Sequence, residues 1–256
     1  MIPLHDSVPT KRRPILTIAL IVVNLAVFIW SQGASTQVLQ SNRGPVRVDG
    51  FTAVTAEYGF VPCELTMRCP EGDDAVDVGQ FRDGTPAIVS VHHVPVLVTL
   101  VTSIFMHGGW EHVLGNMLFL WIFGNNIEDR VGRRRFLVFY LLGGLAAAGL
   151  QLLAGPSSDV PNIGASGAIA AVLGGYLLLY PTAAVITYIP PFFFLQLPAV
   201  LFLVGWFLLQ ILAASSVQVG SAGGGVAYFA HIGGFAFGLL TIRWWVRNEP
   251  RPPAYA

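Results

Sequence analysis

Four residues on three apolar stretches have the types that acyl transfer requires. Ser166 stands in the run Gly164-Ala165-Ser166-Gly167, and His231 in AHIGGFAFG (230–238). His112 and Asn116 stand in MHGGWEHVLGN (106–116), four residues apart, so a helix would carry them on one face. A serine hydroxyl is a weak nucleophile until a base removes its proton, and imidazole titrates near neutral pH. Ser166 and His231 therefore read as nucleophile and base. His112 and Asn116 read as donors to a tetrahedral oxyanion, with backbone amides near Ser166. One such donor is typically worth about 3–4 kcal/mol in the transition state. Gly164 and Gly167 would let a substrate backbone approach the serine.

Each of these residues also has a plainer reading. A serine at a helix start is often only an N-cap. Gly234 and Gly238 are four apart, which usually means close helix packing. Ser166, Ala170 and Gly174 are also small and spaced by four, so the two segments could pack on each other, and that packing would bring Ser166 towards His231. The run GASGA differs from the G-x-S-x-G elbow of strand-based hydrolases, because Ala168 occupies the second glycine position.

The elements that must hold these groups are set by composition. Hydrophobic residues are 54% of the chain and charged ones 11%, against roughly 25% charged in a soluble domain. Mean hydropathy is +0.64. The expected fold is all-α, a polytopic membrane protein. Six transmembrane helices are expected, at about 15–30, 113–127, 135–153, 165–180, 192–214 and 226–246, because unpaired backbone groups are costly in lipid. The expected organisation is a tail at 1–14, a membrane domain at 15–248 with a long first outer loop at about 31–106, and a second tail at 249–256. The first apolar stretch follows Lys11-Arg12-Arg13 and reads as a retained span rather than a cleaved signal peptide. Within the loop, 87–105 reads as interfacial or re-entrant, and its length also allows a further span.

Arginine and lysine placement sets the orientation. With the N-terminus inside, ten of the fourteen basic residues fall inside. The other four, Arg43, Arg47, Arg68 and Arg82, lie in the first loop, which is acidic on balance. Both termini are then cytoplasmic, and spans two, four and six all begin at the outer face. His112, Asn116, Ser166 and His231 come to one level just below that face. No carboxylate lies at that depth. Glu111 points about 100° away from His112 and reads as interfacial, as do His92, His93 and His107. Glu128 and Asp129 are at the inner end of span two, and Asp159 reads as solvated. The pair therefore reads as a Ser–His dyad rather than a triad.

Cys63 and Cys69 form a small disulfide loop if their segment faces an oxidising compartment, and otherwise are two thiols. They have no histidine cluster and make no zinc site. No metal and no cofactor are expected, and a net charge of zero supplies no field for nucleic acid.

Taken in order, HGGWEHVLGN (107–116), Glu128-Asp129-Arg130-Val131-Gly132, GASG and AHIGGFAFG resemble the rhomboid family of intramembrane serine proteases, over about residues 106–238. The resemblance implies a bacterial-type six-helix bundle with an outward water-filled cavity, Ser166 as nucleophile, His231 as base, and His112 and Asn116 at the oxyanion. It implies a serine endopeptidase, a hydrolase of intramembrane proteolysis, acting on single-span transmembrane proteins near the outer membrane surface. Helix five and the loop at 215–225 would gate and cap the site. The lipid bilayer and the substrate are the expected partners, and a bacterial plasma membrane the expected location. Some family members carry an aromatic four residues after the serine, stacked on the histidine. Ala170 stands there in this chain, so either another ring, such as Tyr228 or Phe235, holds His231, or the histidine is held less firmly. Two rival readings are an inactive relative that escorts membrane proteins and a transporter. The presence of both Ser166 and His231 weighs against the first. The clustering of polar groups at one depth weighs against the second.

Overall fold

A computed structural model describes residues 1–41, 43–69, 75–80, 86–90, 94–189, 191, 193–216 and 227–246. His92, His93, the expected cap beyond residue 216 and the tail at 249–256 lie outside the described residues. In chain order the elements are β1 (Ile2–Asp6), α1 (Ile15–Gln32), β2 (Gln37–Ser41), β3 (Gly44–Val48), α2 (Gly50–Tyr58), α3 (Pro62–Thr66), β4 (Ala75–Gln80), β5 (Pro86–Ser90), α4 (Val96–Thr102), α5 (Trp110–Phe119), α6 (Asn125–Val131), α7 (Arg133–Ala154), α8 (Ser166–Leu179), β6 (Ala184–Ile189), β7 (Phe193–Pro198), α9 (Ala199–Ser216) and α10 (Tyr228–Trp245). A π-helical segment, Leu120–Gly124, joins α5 to α6 in one continuous helix.

Helical units therefore stand on each of the six expected apolar segments. Two of them, α1 and α7, are long and apolar enough by length and composition to cross a membrane. Segment 87–105 is divided between β5, the short helix α4 and a 3-10 turn, Ser103–Phe105. Apolar side chains on α1, α9 and α10 face outward, among them Val22, Leu201, Leu212 and Leu240. Such a belt is unfavourable in water and suits contact with lipid.

The expectation of an all-α chain is corrected by two antiparallel sheets at opposite ends of the bundle. The first has strand order β3-β2-β5-β4 and fills the long loop. Its Val76 and Val89 are buried with Ala56, Val61 and Cys63 in a small second core. Cys63 and Cys69 are disulfide-bonded at the edge of that core. The second sheet has order β1-β6-β7. It takes the first residues expected for span five, because β7 ends at Pro198 and α9 starts only at Ala199. Phe193 and Phe194 of β7 stand opposite Ile189 and Tyr188 of β6, and aromatic and β-branched side chains favour such a pleated surface.

Caps and turns at the sheet β1-β6-β7 end explain the Glu128-Asp129-Arg130 motif. Helix α1 begins after Pro14 with no side-chain cap of its own. Instead the Glu128 carboxylate accepts from the backbone amides of Leu16 (3.0 Å) and Thr17 (2.7 Å) and from the Thr17 hydroxyl (2.8 Å). Asp129 accepts from the amides of Lys11 and Arg12. A carboxylate at a helix N-terminus pairs with the orphan amides and the positive end of the helix dipole. Arg130 lies in the same last turn of α6. Gly132, at φ +84°, then turns the chain into α7, a conformation that favours glycine.

Helix α8 is the centre of the bundle, buried from Gly167 to Tyr176. A Cβ at Gly234 would overlap the Gly167 carbonyl, and one at Gly238 the Ala171 carbonyl. From the other side, a Cβ at Gly174 would overlap the Phe235 carbonyl. Glycines on both helices thus let the two backbones touch, which sets the spacing of everything α8 and α10 carry.

Candidate active site

Ser166 is the first residue of α8, and His231 lies in the first turn of α10. The α8–α10 seam brings His231 Nε2 to 2.8 Å from Ser166 Oγ. His231 is 8% exposed. That is a hydroxyl in contact with a base in a largely water-excluded setting, the first requirement for proton removal during attack.

The loop before Ser166 is held from several sides. The Gly164 amide donates to the Ser103 carbonyl at 2.9 Å, and Phe60 and Asn162 exchange backbone bonds. Gly164 has φ +127°, and a Cβ there would press on His112 at 2.9 Å from Nε2 and 3.0 Å from Cε1. Any larger residue would be strained and would displace the ring. Gly167 does not face the cavity as expected, since a Cβ there would strike the Ala147 side chain on α7. Its small size serves helix packing.

His112 accepts a hydrogen bond at Nδ1 from the Gly108 amide, at 3.3 Å. A neutral imidazole accepting at one nitrogen carries its proton on the other, so Nε2–H of His112 is a donor beside Gly164. Asn116, one helical turn on, is 8% exposed, and its Nδ2 donor is buried without a partner among the described residues. A buried, unpaired donor is costly and rare. His107, expected at the interface, is fully buried. It packs edge-on against His112 at 5.0 Å and accepts from the Ala165 amide at 3.5 Å.

A cavity of about 780 Å³ is lined by His112, Asn116, Ser166 and His231, with Glu111 and Trp206 also on its wall. Glu111 is exposed at that wall. Three elements of the site therefore open onto a shared space large enough for a peptide segment.

What holds His231 comes mainly from α9. Its Nδ1 is 2.8 Å from Gln210 Oε1. The Trp206 ring lies 5.8 Å from the imidazole, and Tyr228 meets it edge-on at 6.3 Å. Of the two rings expected at this place, Tyr228 is there. Phe235 is turned away and stacks on Phe207 at 4.3 Å. Gln210 and Trp206 were missed by sequence reasoning. The available signal was an amide side chain within an otherwise apolar stretch, since polar groups inside spans are functional candidates.

Residues 95–248 match the rhomboid domain family. The chain belongs to the rhomboid family. It is 32% identical over 167 residues to RHOMBOID-like protein 12, mitochondrial, of Arabidopsis thaliana, covering 58% of this chain and 46% of that protein. It is 30% identical over 152 residues to Rhomboid protein 1, mitochondrial, of Saccharomyces cerevisiae, covering 58% of this chain and 42% of that one. It is 31% identical over 160 residues to Presenilin-associated rhomboid-like protein A, mitochondrial, of Danio rerio, covering 59% and 39%. The chain thus spans less than half the length of these relatives. This rhomboid is a membrane protein with transmembrane helices. Its relatives carry mitochondrial names, and a further one, Rhomboid-like protein 11 of Arabidopsis thaliana, a chloroplastic one. The expectation of a bacterial type in a bacterial plasma membrane finds no support among them.

Proposed function

We propose that this rhomboid is an intramembrane serine endopeptidase that uses Ser166 and His231 as a catalytic dyad. The observation that carries the reading is the 2.8 Å contact between Ser166 Oγ and His231 Nε2. It is supported by an Asn116 donor, without a partner among the described residues, on the wall of the same cavity. His231 takes the hydroxyl proton as Ser166 Oγ attacks the scissile carbonyl. The oxyanion that forms receives hydrogen bonds from His112 Nε2–H and Asn116 Nδ2–H. The tetrahedral intermediate collapses with the amine leaving, protonated by His231. Water then enters the cavity, and His231 activates it to hydrolyse the acyl-enzyme.

The substrates are single-span membrane proteins. The site lies at the N-terminal ends of α5, α8 and α10, and cleavage falls near the membrane surface on that side. Six crossings put both chain termini on the opposite side. A transporter is disfavoured by the distribution of polar groups. At the far end, buried Asn126 and Tyr176 both donate to Asp6, and Thr17 donates to Glu128, rather than facing a path.

The test is cleavage of a reporter single-span protein in detergent or liposomes. Ser166→Ala and His231→Ala abolish cleavage and the labelling of Ser166 by a fluorophosphonate. Asn116→Ala lowers kcat about 10²–10³-fold, the usual effect of removing one oxyanion donor. Undiminished cleavage by Ser166→Ala would falsify the dyad, and unchanged kcat in Asn116→Ala would remove Asn116 from the oxyanion.

A further inference from the structure

The dyad leaves one ring nitrogen of the base unexplained. Neutral imidazole carries a single proton, and for His231 to accept from Ser166 that proton must be on Nδ1. Some acceptor has to hold it there. A carboxylate commonly does so, but the atom 2.8 Å from Nδ1 is the amide oxygen of Gln210.

An amide oxygen is an acceptor only. Facing Nδ1, it stabilises the tautomer that donates from Nδ1 and presents the Nε2 lone pair to Ser166 Oγ, 2.8 Å away. The other tautomer would set Nδ1 lone pair against carbonyl oxygen. Gln210 comes from α9, whose neighbouring Leu208, Leu209 and Leu212 point outward. Its side chain is turned inward, onto the base. The simpler role is interhelical glue, in which an amide in an apolar helix binds any available partner. Glue would not need a particular atom of the amide or a particular nitrogen of the ring.

We infer that Gln210 is a positioning residue for His231, fixing the Nδ1–H tautomer and the ring plane in place of the carboxylate of a triad. This rests on the proteolytic reading above. Because Gln210 stands on α9 rather than on the α8–α10 seam, the base is set only while α9 is docked against α10.

The experiment measures kcat and KM for reporter cleavage, across pH, for wild type, Gln210→Leu, Gln210→Glu and Ser166→Ala in the full chain. Leucine fills the volume and makes no bond, so kcat falls about tenfold or more while KM stays near wild type. Glutamate restores the acceptor. Its negative charge also favours the imidazolium, so kcat recovers at alkaline pH and the acid limb of the kcat/KM profile moves to higher pH. Should the leucine variant fail to fold, the glutamate variant decides alone through its alkaline kcat, which an acceptor on Nδ1 restores, whereas glue made through the amide NH2 group is lost with glutamate and leaves kcat low at every pH. Wild-type kcat in Gln210→Leu, or an unmoved acid limb in Gln210→Glu, overturns the positioning role while Ser166→Ala remains inactive. Cleavage by Ser166→Ala overturns the dyad, and the positioning role falls with it.

Discussion

Helix α10 is contacted by α8 and by α9 in different ways. Against α8 it presents Gly234 and Gly238, and the facing carbonyls of Gly167 and Ala171 occupy the space a side chain would need. Against α9 it presents side chains: Phe235 stacks on Phe207 at 4.3 Å, Trp206 lies 6.1 Å from the same ring, and Gln210 reaches His231. Backbone in contact with backbone has no rotamer to yield. Ring contacts and one hydrogen bond can be broken and remade without moving the rest. The bond between Ser166 and His231 spans the first kind of contact, and the bond that orients His231 spans the second. The reacting atoms are held by a seam that does not shift, while the readiness of the base depends on a peripheral helix.

The largest effect expected from this difference is at Gly238. A single methyl there meets the Ala171 carbonyl, so α8 and α10 must separate. Gly238→Ala is expected to cost about 3 kcal/mol, at the upper end for overpacking, and to remove both cleavage and fluorophosphonate labelling of Ser166. Thermal unfolding in detergent measures the first effect, and gel-based labelling the second. A Gly238→Ala protein with wild-type stability and labelling would break the comparison.

A smaller effect is expected at Phe207. The side chain is only half-buried, and truncating it leaves the seam intact. Phe207→Ala is expected to cost about 2 kcal/mol, below the range for a fully buried ring, and Phe207→Leu well under that. Labelling of Ser166 persists in both, although turnover falls as α9 undocks and Gln210 leaves His231. Equal losses of stability from Phe207→Ala and Gly238→Ala would mean that α9 is as fixed as α8.

This asymmetry was half legible in the sequence. The seam could be read from small residues spaced by four, because close packing needs only size and period. Ser166, His231, His112 and Asn116 could be listed because their residue types are rare in apolar helices. The tautomer of His112 could not be read, since it depends on a loop amide at Gly108. Gln210 could not be matched to His231, 21 residues away, because nothing in an apolar helix of uniform character says which face turns inward. For the same reason the sequence could not choose between Tyr228 and Phe235 as the ring beside the histidine. The strands failed on another ground: a short apolar run such as 193–198 has no period that separates strand from helix. In the loop, β2 pairs with β5 across a long stretch of chain, as in Gln40 opposite Ser90, a register that no local signal encodes.

The smallest effect expected lies at the far end of α8 and tests whether that helix is fixed along its whole length. Tyr176, near its C-terminal end, donates to the Asp6 carboxylate on β1, and Asn126 Nδ2 donates to the same group at 2.7 Å. Burial holds the Asp6 carboxyl up at about 6, above its ordinary 3.8, with the hydrogen bonds and the nearby His5 pulling the other way without cancelling it. The folded state therefore binds a proton that the unfolded state has already released, throughout the interval between those two values. Stability is then greater at the acid side and declines as pH rises through that interval, with the cost fully developed above it. Between about pH 5 and about pH 8 the wild type is expected to lose about 1 kcal/mol from this group, after some discount for residual solvent at the site. Asp6→Asn keeps an acceptor for Tyr176 and removes the titration, so its unfolding temperature should vary less with pH and exceed that of the wild type at the alkaline end. Parallel curves for the two proteins would show that Asp6 is solvated in both states, and that α8 is clamped only at its Ser166 end.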